Sequence, residues 1–187
     1  MGKTETAKMF NGLSIPVFSA DEAVHQLYAK NGAAVAPIGD LFPDVIINGE
    51  VNRGKLSAKI LADRNVVDRI EAIVHPLVRK KQNEFIAQSK QDDIPIIVLD
   101  IPLLFESGGD ANVDKIVVVS APLDIQRQRA LARAEMTPEK LDLILSKQMS
   151  DEEKREKADY IVETHKGLEH AFQQVEAIVD ELTALGT

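Results

Sequence analysis

The chain has 187 residues, 44% hydrophobic and 28% charged, enough for one domain with a buried core, or for a core carrying an insertion, in the range of soluble globular proteins. It contains no cysteine, which excludes disulfides, thiolate nucleophiles and thiolate metal sites. A formal net charge of -8 argues against broad nucleic-acid binding, which needs a basic face, and no apolar run of bilayer length or secretory leader pattern is present, so neither a nucleic-acid nor a membrane partner is expected and a cytoplasmic setting fits.

In chain order, the opening Gly2-Lys3-Thr4 matches the last three positions of the phosphate-loop pattern G-x-x-x-x-G-K-[ST]. The residues after it, Glu5 to Phe10, are good helix formers with Ala7 and Phe10 on one side, so a helix is expected to start at the tripeptide. A first strand follows at Ile15-Pro16-Val17-Phe18 and ends at Ser19-Ala20-Asp21. About seventy residues then separate it from the next apolar run, far more than a simple crossover needs, which predicts an inserted helical module. Its helices are expected over 21–30, 55–62 and 66–89, the last carrying Ile70, Ile73, Val74, Leu77, Val78 and Phe85. The run "IPIIVLD", 94–100, reads as a strand buried on both faces, with Pro95 tolerated at its start. Further strands are expected at "KIVVVS", 115–120, and "DYIVET", 159–164. Between those two lie a basic helix, 124–133, and the segment "MTPEKLDLILSKQM". In that segment Thr137, Pro138 and Glu139 suit the cap, first position and first turn of another helix. Ser150 and Glu153 have capping-box spacing. The tail from Leu168 places Phe172, Val175, Ile178, Val179 and Leu182 on one stripe. Strands alternating with amphipathic helices predict an α/β fold.

Ligands of open α/β sheets bind at the carboxyl ends of the strands. Asp21, ending the first strand, would then face the same crevice as Lys3 and Thr4 and is a candidate base; it would equally serve as the cap of the helix "EAVHQLYAK". Asp100, ending the second strand, would hold a magnesium-bound water or merely solvate the strand end. The four histidines, His25, His75, His165 and His170, have no recognisable metal-ligand spacing.

The segments "VFSADEAVHQLY", "IEAIVHPLVRKK", "IVLDIPLLFESG", "IQRQRALARAEMT" and "KADYIVET", in this order and with the "GKTETAKMF" helix before them, resemble the dephospho-coenzyme A kinase family over nearly the whole chain. The most specific element is Pro102-Leu103-Leu104-Phe105-Glu106 after a buried strand, combined with His75-Pro76 upstream. The resemblance implies a P-loop NTPase-type parallel sheet with helices on both faces. A kinase core is expected over 1–27 and 91–187, with a lid at about 133–156, and a helical insertion for the coenzyme A substrate over 28–90. It implies transfer of the ATP γ-phosphoryl group to the ribose 3′-hydroxyl of dephospho-coenzyme A, with ATP as co-substrate and Mg2+ as metal. On that pattern Gly2, Lys3 and Thr4 hold the phosphates, Thr4 and Asp100 serve the magnesium, and Arg129 and Arg133 engage phosphoryl oxygens. Asp21 orients the attacking hydroxyl, while Arg53, His75, Leu103 and Glu106 lie on the acceptor side. Ser19 stands where the family has the first of two acids, so Asp21 carries that role alone, and Thr164 stands where the family commonly has asparagine. Blander readings remain beside these. His75 would pack against its proline, Arg79, Lys80 and Lys81 would form a solvated helix face, and Arg129 and Arg133 would pair with surface carboxylates.

Related phosphate-loop kinases order their strands 2-3-1-4-5, and this chain offers candidates for all but the central strand 1. The missing part is about ten residues, a strand plus the first loop glycine and its spacers. Met1 is therefore expected to be an internal methionine of a longer protein, and this chain to have reduced activity. Two other functions stay open: a kinase of the same architecture acting on nucleoside monophosphates, and a non-catalytic protein that binds a coenzyme A-like ligand. The sequence sets no oligomeric state.

Overall fold

A computed structural model describes residues 2–63, 65–132, 136–146 and 148–185. In chain order the elements are α1 (Lys3–Gly12), β1 (Val17–Ser19), α2 (Ala20–Tyr28), α3 (Val35–Leu41), β2 (Ile46–Ile47), β3 (Glu50–Val51), α4 (Arg53–Ala62) and α5 (Asn65–Gln91). They continue with β4 (Val98–Asp100), β5 (Val117–Ser120), α6 (Leu123–Leu131), α7 (Pro138–Leu145), α8 (Asp151–Glu156), β6 (Tyr160–Glu163) and α9 (Leu168–Leu185). The fold is α/β. It divides into two compact units, Met1–Val17 with Pro95–Thr187, and Phe18–Ile94.

In the first unit the apolar runs become strands because their Val and Ile side chains fit a pleated, covered surface. β5 and β6 pair in parallel, with Val117, Val118, Val119 and Ser120 opposite Tyr160, Ile161, Val162 and Glu163. The amino end of this pair is clamped by Asp159, which accepts bonds from Lys115 Nζ at 2.9 Å and from the Ile116 amide at 2.8 Å. Its carboxyl end is clamped by Gln174 of α9, whose side chain accepts from the Glu163 amide at 3.0 Å and donates to the Glu163 carbonyl at 3.1 Å. Phe10 of α1, Val162 of β6, and Ala171, Val175 and Ile178 of α9 form the core, against which Val98 and Val117 also pack. Ala171 rather than Phe172 is the buried start of the α9 stripe. The Val98 amide donates to the Pro16 carbonyl at 2.9 Å, which lays the start of β1 beside β4. Among the described residues no ladder joins β4 to β5.

The second unit is mostly helical. Val66, Ile70 and Val74 recur four apart along α5 and are buried with Leu27, Ile38, Phe42, Val45, Val51 and Leu56, so one face of the long helix closes a core supplied by the shorter elements. Pro76 sits inside α5, which runs on through it; proline has no N–H to return to the Ala72 carbonyl. The small hairpin of β2 and β3, with Ile47 opposite Glu50, is absent from the sequence reading. Its strands are only two residues each, too short for an alternating pattern. The available signal is Asn48-Gly49, whose φ values of 54 and 81 are those of the turn that Asn-Gly favours in two-residue hairpin loops.

Candidate functional site

The first unit gathers several sequence-predicted residues at the carboxyl ends of its strands. α1 packs against β4 and α9, and its first residue, Lys3, donates from Nζ to Asp100 Oδ1 at 2.6 Å. Asp100 ends β4 and its side chain is 10% exposed, against 38% for Lys3. Thus the last lysine of the loop pattern and the acid closing the buried strand, 97 positions apart, meet as an ion pair. Gly2 precedes them with φ 110. A Cβ there would come within 3.1 Å of Thr164 Cγ2, so both the backbone and the close approach demand glycine. Thr164 follows β6 and is held on both sides: its amide donates to the Ser120 carbonyl at 3.0 Å, and Arg129 of α6 donates from Nη1 to its hydroxyl at 2.9 Å and from Nη2 to its carbonyl at 3.0 Å. Gly2, Lys3, Asp100 and Arg129 therefore share one locality, with Thr164, which the sequence marks only as standing where the family commonly has asparagine, as the hub. Apart from that resemblance, a single threonine at a strand end carries no pattern of its own.

Magnesium binds hard oxygen ligands, commonly one or two carboxylates with phosphate and water completing the shell. The donors here fit that requirement: Asp100 keeps its second carboxylate oxygen beyond the one bonded to Lys3, and the hydroxyl-bearing Thr4 is the next residue of the exposed first turn. Among the described residues no cluster of three metal-ligating side chains exists, so a dedicated all-protein cage is absent and a substrate-completed site is the arrangement these donors suit.

Beyond β4 the chain turns through Leu103, whose φ of 57 is left-handed and whose side chain is 44% exposed. Glu106 follows, and its Oε1 accepts from the Met149 amide at 2.8 Å and pairs with Lys154 Nζ at 2.9 Å. Burial pushes this carboxyl up, but the Lys154 ammonium and the backbone donors, including the Met149 amide, outweigh it and hold it below the ordinary glutamate range. Gln126, without a role in the sequence reading, donates to the Ala121 carbonyl at 2.6 Å and to Asp151 Oδ1 at 3.1 Å. Ser120 Oγ donates to the other Asp151 oxygen at 2.7 Å. A hollow of about 950 Å³ opens beside this network, its wall including Gln126, Met149, Asp151 and His165. His165 Nδ1 is buried there with no partner among the described residues. Arg133 lies outside the described residues.

Asp21, Arg53 and His75 belong to the second unit. Asp21 is exposed in the first turn of α2, and the cap of that helix is Ser19, whose hydroxyl accepts from the Glu22 amide at 3.3 Å. The capping role open to Asp21 in the sequence is thus filled by its neighbour. The Arg53 guanidinium lies 5.9 Å from the centre of the Tyr28 ring. Burial pushes the Tyr28 hydroxyl up, and the Arg53 charge opposes that shift. His75 lines, with Pro76, Arg79, Lys80 and Asn83, a hollow of about 660 Å³ along α5, so the basic residues after the His-Pro step border a concave surface.

Comparison with known proteins accords with this arrangement. A dephospho-CoA kinase of Mesorhizobium japonicum is 52% identical over 182 residues, covering 97% of this chain and 91% of that protein. Among solved structures, a Thermus thermophilus protein, TT1252, superposes with a TM-score of 0.79 at 27% identity, covering 97% of this chain and 92% of its own. The dephospho-CoA kinase from Campylobacter jejuni has a TM-score of 0.69 at 20% identity, over 97% of this chain and 91% of that one, a likeness of fold. The family described as dephospho-CoA kinase matches residues 1–170, and the chain belongs to that family.

Proposed function

We propose that this chain is an ATP-dependent kinase that phosphorylates the ribose 3′-hydroxyl of dephospho-coenzyme A, yielding coenzyme A and ADP in the cytoplasm. The observation that carries the reading is the Lys3–Asp100 pair at 2.6 Å beside Gly2, a phosphate-loop lysine set against the acid at the end of the buried strand. The amides of the first turn of α1 point at the anion, which the positive end of the helix favours. Lys3 exchanges part of its bond to Asp100 for the β- and γ-phosphoryl oxygens. Thr4 and Asp100 would hold magnesium, directly or through water; when bound, it offsets charge on those oxygens. Arg129, on releasing its bonds to the Thr164 hydroxyl and carbonyl, and Arg133 bind the migrating phosphoryl group. Asp21 accepts the proton of the acceptor hydroxyl as the new O–P bond forms and the bridge to the β-phosphate breaks. Arg53, His75 and Leu103 contact the acceptor.

The test is a rate comparison with dephospho-coenzyme A against nucleoside monophosphates, with ATP and magnesium. Preference for dephospho-coenzyme A is the expected result, and preference for a monophosphate overturns the acceptor assignment. Calorimetric ATP binding accompanies turnover on this reading; neither binding nor turnover would leave a non-catalytic ligand-binding protein. Asp21→Asn should lower kcat by about 100-fold or more with ATP affinity unchanged, and an unaltered kcat removes Asp21 as the base.

A further inference from the structure

Glu106 ends the Pro102–Glu106 stretch that in sequence reads as an acceptor contact, yet its carboxylate is already spoken for. One oxygen takes both the Met149 amide at 2.8 Å and Lys154 Nζ at 2.9 Å, and the two side chains are only 17% and 15% exposed. A carboxylate partly shielded from solvent in this way needs donors to replace the water it loses, and these are charge-assisted bonds. Met149 lies in the stretch between α7 and α8, immediately before the Ser150 cap. Lys157, just past α8, lies 5.7 Å from the centre of the Phe105 ring, a second contact between the same two segments. Asp151, the first residue of α8, is bonded from Ser120 and Gln126. The start of α8 is therefore tied to the segment following β4, to the last residue of β5 and to α6. The α7 arm before it buries Leu141, 5% exposed, and its ion pair to α6, Arg127 with Asp142 at 2.9 Å, joins side chains 41% and 61% exposed, a kind of pair that contributes little.

We infer that Glu106 is a positioning residue, which fixes Met149 as the root of the α7 arm and so sets where that arm stands relative to the phosphate-binding end. The inference rests on the kinase reading above. The same turn carries Asp100 at its start, six positions before Glu106 in sequence, so the acid that meets Lys3 and the anchor of the arm are built on one short segment.

The test uses the full chain with Glu106→Gln, Glu106→Ala, Lys154→Met and the Glu106→Ala/Lys154→Met double variant. Hydrogen exchange is followed by mass spectrometry over 145–152, with β6 as internal reference. Glu106→Ala should speed exchange in that segment about 10-fold or more, with β6 unchanged. Glu106→Gln keeps an acceptor for the Met149 amide and should speed it less than about 3-fold. In kinetics Glu106→Ala should lower kcat about 10-fold while leaving KM for dephospho-coenzyme A within about 2-fold, and adding Lys154→Met should cost nothing further. Wild-type exchange in Glu106→Ala overturns the inference, and so does a raised KM with unchanged kcat, which would make Glu106 a substrate contact. Should Glu106→Ala not fold, Lys154→Met carries the test: faster exchange over 145–152 supports the anchor and unchanged exchange overturns it. Exchange needs no turnover, so an inactive wild-type chain would refute the kinase reading and leave this result legible.

Discussion

Leu103 occupies a backbone region that costs an ordinary side chain on the order of 1–2 kcal/mol, and it does so with an exposed apolar side chain at φ 57. Strain kept in an exposed apolar turn is a reason to test for use. Leu103→Gly removes the clash at the expense of a more flexible unfolded chain, two effects of similar size. The expected outcome is a Tm unchanged or slightly raised, with KM for dephospho-coenzyme A increased; a lower Tm with unchanged KM would mark the residue as structural. At this scale the sequence exposes residues whose chemistry is tied to a local pattern. Gly2, Lys3 and Asp100 are such residues, because a loop ending and a strand ending are both visible in a line of letters. Met149 and Lys154 are invisible there, and Thr164 shows only through the family resemblance. Their roles come from distant neighbours: Met149 and Lys154 meet Glu106, and Thr164 is bonded to the Ser120 carbonyl and to Arg129, 35 positions away.

The elements that the sequence predicts well are those whose burial pattern repeats. α5 is expected over 66–89 and spans Asn65–Gln91, because its apolar positions recur over many turns. α8 is legible from its cap alone: Ser150 Oγ accepts from the Glu153 amide at 3.2 Å, and Glu153 returns a carboxylate to the Ser150 amide at 3.0 Å. Strands shrink relative to their apolar runs, since 94–100 yields only Val98–Asp100 as β4, and a ladder needs a bonded neighbour as well as an apolar side chain. The β6 end depends on such a neighbour from another element. Gln174 of α9 meets both peptide groups of Glu163, so Gln174→Leu leaves a donor and an acceptor unpaired. Urea unfolding should show a loss of about 1–3 kcal/mol, and Thr164, the next residue, should lose its fixed place beside Gly2. Full stability in that variant would show the two groups to be solvated instead.

Across the molecule, carboxylates held by local partners set the pH range of stability. Lys59 beside Asp44, Lys115 beside Asp159, Ser150 beside Glu153 and Lys166 beside Glu163 hold those carboxyls below their ordinary range. In Glu106, burial opposes the pull of Lys154 and loses to it and the backbone donors. Groups with depressed folded pKa values contribute stability that is complete above the unfolded values and disappears as pH falls through the folded ones. The urea midpoint should therefore stay level down to about pH 5 and fall steeply below about pH 4. On the alkaline side Lys115 is raised by Asp159, and Tyr28 and Tyr160 are raised by burial. Their contributions are present below the unfolded values and fade as pH rises past about 10. A midpoint that rises on acidification would contradict this assignment. The short bond from the Val98 amide to the Pro16 carbonyl, at 2.9 Å, has a consequence for how such a chain can be remodelled. The Phe18–Ile94 unit leaves and rejoins its host through two neighbouring strands, as a cartridge does through adjoining terminals. Halving the length of the looped-out segment would change its closure entropy by only about 0.6 kcal/mol, so cartridges of very different length could be spliced between the same two terminals while the Gly2–Lys3 end stays wired as it is.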